Sequence, residues 1–64
     1  MQTRKLIKKK VEYMIGDIKR ALAQASSLRE IYGDAYPTHK DTLETLMEGL
    51  TVAWELAEEF KKIV

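Results

Sequence analysis

Apolar residues recur along this chain in alternating steps of three and four. The first set is Ile7, Val11, Met14, Ile18, Ala21, Ala25, Leu28 and Tyr32; the second is Leu43, Leu46, Leu50, Ala53, Ala57, Phe60 and Val64. This is a heptad stripe, and it predicts two amphipathic helices, each roughly 40 Å long. No strand-like alternation competes with it. Between the sets, Gly33-Asp34-Ala35-Tyr36-Pro37 collects the helix-breaking residues. Gly33 suits the left-handed position that ends a helix. Pro37 biases Tyr36 to extended backbone. The reading is one domain over residues 1–64, with helices over about 3–32 and about 39–63 and a loop over about 33–38. Thr38 or Asp41 can cap the second helix, and Asp41 with Glu44 has capping-box spacing.

Folding the chain at the loop matches the two stripes. Leu28 falls opposite Leu43, Ala25 opposite Leu46, Ala21 opposite Leu50, Ile18 opposite Ala53, Met14 opposite Ala57, Val11 opposite Phe60, and Ile7 opposite Val64. In the four pairs that contain an alanine, a larger side chain faces it, which lets layers interdigitate at constant spacing. Sliding one heptad to lengthen the loop sets Ala25 against Ala53 and Ala21 against Ala57, leaving voids.

The stripe has apolar flanks. Ile15 and Leu22 border it on the first helix and Met47 and Trp54 on the second, with Ile31, Leu56 and Ile63 on the other side. A face this wide fits a bundle helix better than a two-stranded coil. The expected fold is therefore an all-α antiparallel two-helix hairpin that dimerises into a four-helix bundle. Ile15, Leu22, Met47, Trp54 and Leu56 are the expected dimer interface.

Chain length supports a partner. A chain of 64 residues buries too little surface for a robust core of its own. It has no Cys and one His, so disulfides, thiolate zinc sites and multi-histidine sites within one chain are excluded. In length, hairpin plan and layering the chain resembles the Rop family of small plasmid RNA-binding regulators. The likeness is one of architecture; no stretch of sequence is shared, and no residue role is carried over.

Charge is split between the halves. Residues 1–32 hold eight Lys/Arg against three Asp/Glu, and residues 33–64 hold three against seven. The open end gathers Arg4, Lys5, Lys8, Lys9, Lys10, Lys61 and Lys62 against Glu12, Glu58 and Glu59. The loop end gathers Glu30, Asp34, Asp41, Glu44 and Glu48 against Arg29 and Lys40. An antiparallel homodimer, with loops at opposite ends, sets positive over negative.

Candidate chemistry is sparse. The central layers of the stripe carry no carboxylate, His or Lys, so the inward Glu and Glu-x-x-His ligands of di-metal bundles are missing, and no cofactor is expected. His39, near Asp34 and Asp41, reads as a first-turn residue on a solvated loop. Ser26 and Ser27 have no base at helical spacing. Gly16 sits on the outer face of the first helix, through close approach of a neighbour or through tolerated drift. No enzymatic function is expected. The sharpest hint is Arg4, Lys5, Lys8, Lys9 and Lys10, continued by Tyr13 and Arg20, as a polyanion-binding patch. The competing reading is a basic surface neutralised by Glu55, Glu58 and Glu59, and it is preferred because charge runs are common. The function expected is a non-enzymatic homodimeric interaction module, adaptor or regulator, with another protein as a further partner. The alternative is a nucleic-acid-binding regulator using the basic first helix. The basic start is not followed by a continuous apolar run, so it does not read as a secretory leader. No stretch is long enough to span a membrane. A cytoplasmic location is expected, without a membrane partner.

Overall fold

The computed structural model describes residues 2–64. Two helices, α1 (Gln2–Tyr32) and α2 (Pro37–Ile63), pack against each other as a hairpin. The molecule measures 53 × 16 × 11 Å, with a radius of gyration of 15.1 Å. A compact chain of this length has a radius of about 11 Å. The hairpin is thus an elongated plate, one helix thick, with two broad faces.

The loop is built from local rules. α1 ends where Gly33 turns left-handed at φ 52° and its N–H donates to the Arg29 carbonyl at 3.0 Å. That single bond is the αL termination, and glycine adopts the conformation without a Cβ clash. The Ala35 N–H then donates to the Tyr32 carbonyl at 3.2 Å. Tyr36, extended at φ −131°, precedes Pro37, which opens α2. Proline suits this position because its missing N–H would have had no intrahelical acceptor. α2 therefore begins two residues before the expected start at 39. Neither Thr38 nor Asp41 caps it: Tyr36 occupies the N-cap without a side-chain hydrogen bond. Instead, Thr42 and Thr45 donate their hydroxyls to the carbonyls of Thr38 and Asp41, both at 3.1 Å. Glu44, the expected capping-box partner, lies 3.5 Å from Arg29 of α1.

The helices meet along a line rotated from the expected one. Val11, Ile15, Ala25, Leu43 and Ala57 are the buried apolar residues among those described. Val11, Ile15 and Ala57 form one cluster, with Ile18, Trp54 and Val64 packed on it. Leu22, Met47 and Leu50 are half-buried. The contact therefore keeps positions 11, 18, 25, 43, 50 and 57 of the predicted stripe. It replaces 14, 21 and 28 by their neighbours 15 and 22, and 46 and 60 by 47 and 54, with position 53 at its border. Of the four stripe alanines, Ala25 and Ala57 are buried, Ala53 is half-buried and Ala21 is exposed.

The rotation has identifiable gains. Turning each helix toward its 15/22 or 47/54 edge sets Ile15 against the small Ala57. It carries Arg29 across to Glu44, and brings the Lys19 ammonium over the Trp54 ring, 5.1 Å from its centroid. The Trp54 indole N–H donates to Glu58 at 3.2 Å, so the half-buried ring keeps its polar atom satisfied. The axial register is the one that stripe pairing implies. Leu28 and Leu43 line one groove, and Ile7 and Val64 another.

Candidate functional site

The rotation decides which apolar residues remain outside. On one broad face, Ile7, Met14 and Leu28 of α1 lie beside Leu46 and Phe60 of α2, all exposed. Ala21 and the half-buried Ala53 continue this strip between them. The opposite face is polar. There Arg29, Glu44, Glu48 and Thr51 border a groove floored by Leu22 and Met47. One apolar side chain, Val52, also reaches that face and is exposed.

The five residues expected at a chain–chain contact fall in different places. Ile15 is 5% exposed and sits inside the hairpin. Leu22, Met47 and Trp54 are half-buried along the same contact. Leu56 is 64% exposed, and Ile31 and Ile63 are more so. The wide apolar face is thus present, but the seam within one chain takes the Ile15/Trp54 edge. The residues that make the open face are those the stripe had set in the seam, while Leu56, Ile31 and Ile63 are exposed away from it.

Near the loop the open face is hollowed. Leu28, Tyr32, Thr38, His39, Thr42, Leu43 and Leu46 line a groove of about 400 Å³. Tyr32, Tyr36 and His39 stack around its end, with ring centroids 5.4–5.7 Å apart. His39 is therefore part of an aromatic cluster that braces the turn, and edge-to-face pairs of this kind stabilise beyond their area alone. The cluster was not foreseen; aromatic residues at 32, 36 and 39 in a predicted turn were the available signal. Lys40 bonds Asp34 across the turn at 3.0 Å. That hydrogen bond and the Asp34 charge hold the Lys40 ammonium above its ordinary range.

At the open end, Arg4, Lys5, Lys8, Lys9 and Lys10 are exposed. None of them has a carboxylate within ion-pair distance among the described residues. Of the α2 carboxylates expected to neutralise them, Glu58 accepts from Trp54 and Glu59 pairs with Lys62 at 3.5 Å. Tyr13 is exposed beside this run, whereas Arg20 pairs with Asp17 on its own helix. By helical spacing the five cations fan around the end of α1 and do not align as one row. Ser26 and Ser27 are exposed on α1. At Gly16 an added Cβ would meet nothing within 4 Å.

No group of three His, Cys, Asp or Glu that could hold a metal ion occurs among the described residues. None of their helices is long and apolar enough to cross a membrane. Compared with protein families, with curated proteins and with solved structures, the chain has no match in any of the three.

Proposed function

We infer that this chain is a non-enzymatic interaction module that works as a homodimer, two hairpins stacking their open faces into a four-helix bundle that serves as adaptor or regulator. The observation that carries this reading is surface area. The hairpin exposes 5306 Å². A compact protein of its mass, 7.4 kDa, exposes about 4,200 Å². The excess, roughly 1,100 Å², is comparable to the ~800 Å² that each partner contributes to a standard protein interface. The chain's own core, in contrast, contains no fully buried large side chain among the described residues.

Charge supports loops at opposite ends, where the basic open end of each copy overlies the acidic loop end of the other. A cysteine-free chain fits the reducing cytoplasm, where we place it. Sedimentation equilibrium across a concentration series tests the reading. The expected result is twice the chain mass, with helicity falling on dilution. A helical monomer at every concentration overturns it.

A nucleic-acid-binding regulator is the second reading, favoured by one observation: the unpaired cations Arg4, Lys5, Lys8, Lys9 and Lys10. Generic DNA and RNA titrated across a salt series test it. Binding that weakens steeply with salt, and is lost when Lys8, Lys9 and Lys10 become Gln, supports it. Absence of binding at low salt overturns it.

A further inference from the structure

The groove beside the turn and the exposed ring of Phe60 lie on the same face at opposite ends of α2. We propose that they are the two halves of one self-recognition contact, in which Phe60 of a second copy seats between Leu28, Tyr32, Leu43 and Leu46. The proposal rests on the homodimer reading and deepens it by naming the docking element and its register.

Register leads there. Ile7 is level with Val64, and Leu28 with Leu43. The midpoint of the overlapped length therefore lies near Thr51 and Val52 of α2. A twofold axis through that point, perpendicular to the helices and in the plane between two stacked faces, runs each α2 antiparallel to its copy. Phe60 lies roughly 13 Å beyond the midpoint at 1.5 Å per residue. The same displacement on the other side of the midpoint reaches Leu43. Each ring thus arrives at the level of the other copy's groove, and the twofold makes two such contacts.

Side-chain chemistry agrees. Phe60 is 47% exposed and Leu46 54% exposed, on a face otherwise made of Ile7, Met14, Ala21 and Leu28. The groove holds about 400 Å³; Leu28, Leu43 and Leu46 and the ring of Tyr32 give it apolar walls, with Thr38, His39 and Thr42 at its polar side. A buried aromatic in a complementary pocket is the usual energetic centre of an interface. The alternative twofold, along the bundle axis, sets the two loops together. It would bring Asp34, Asp41 and Glu44 of both copies close and direct Phe60 toward the start of the other α1. Like charges at one end oppose that arrangement.

The test uses the full chain with the photo-crosslinking residue p-benzoylphenylalanine in place of Phe60. Sedimentation equilibrium first establishes whether a dimer forms; a monomer at every concentration removes the homodimer reading and the proposal with it. With a dimer in hand, the irradiated species of twice the chain mass is fragmented and its adduct mapped. An adduct between residues 39 and 46 of the second copy is the expected result. An adduct between residues 7 and 14 overturns the proposal while leaving the homodimer intact. Phe60→Ala and Leu46→Ala should each raise the dimer dissociation constant about 30-fold or more. Val52→Ala, on the polar face, should change it less than threefold. Equal effects of Phe60→Ala and Val52→Ala would also overturn the proposal.

Discussion

The two broad faces of the hairpin are built from the same two helices, yet they have opposite characters. On the polar face, groups cross between helices: Arg29 reaches Glu44, and Lys19 covers Trp54. The apolar side chains beneath, Leu22 and Met47, are half-buried along the helix contact. On the open face, among the described residues, no ion pair or cation–ring contact crosses, and Tyr32 meets His39 beside the turn. Ile7, Met14, Leu28, Leu46 and Phe60 stand exposed, and Ala21 and Ala53 between them add little height. The contrast shows how a hairpin distributes a wide apolar arc. One edge closes the chain on itself and is roofed by amphipathic side chains that bury their stems. The other edge is left for a second body.

The largest expected effect breaks the contrast by charging the open face. Phe60→Asp would place an unpaired carboxylate at the proposed contact, so the dimer should be lost over the accessible concentration range. Thermal unfolding should then become independent of concentration, where the parent midpoint rises with it. A parent-like, concentration-dependent midpoint in the variant would count against the open face as an interface.

Next in size is the inner seam. Ile15→Ala removes a buried side chain beside Val11 and Ala57. Urea denaturation should show a loss of about 3 kcal/mol, the range for large-to-small core changes. A loss below about 1 kcal/mol would mean that Ile15 is not held as the hairpin places it.

The roof of the polar face should matter less. Lys19→Gln removes the cation over Trp54, expected to cost about 0.5–1 kcal/mol. Because it uncovers the indole face, the Trp54 emission should also move to longer wavelength. An unchanged spectrum would show that Lys19 does not cover the ring in solution.

An effect of similar size has the opposite sign. Gly16→Ala adds a Cβ into open space on α1. Stability should rise by about 0.5–1 kcal/mol, as expected for glycine in a helix interior. A loss of stability would point to a body packed closely against that position in the assembled state.

Much of this architecture is readable from the amino-acid order. The heptad spacing makes both segments helical. Gly33 can turn left-handed and Pro37 can open a helix, so the turn lies between them. Pairing the stripes sets Ile7 by Val64 and Leu28 by Leu43. The charge split between the ends is plain in the composition of each half. Less legible was the helix start, where proline and an extended Tyr36 replaced the side-chain caps that Thr38 and Asp41 offered. The ring cluster at 32, 36 and 39 depends on how the turn closes, and the Arg29–Glu44 pair depends on which rotamers reach across.

The angle at which each helix faces the other was decided by tertiary structure alone. Periodicity defines an apolar arc on a helix, and on α1 that arc includes both Met14 and Ile15, both Ala21 and Leu22. A shift of one residue turns the contact line from one edge of the arc to the other without changing the pattern. The choice follows from what meets between the helices: Ile15 fits over Ala57, Lys19 lies over Trp54, and Arg29 finds Glu44. Those contacts belong to neither helix alone, and together they determine which apolar edge remains open.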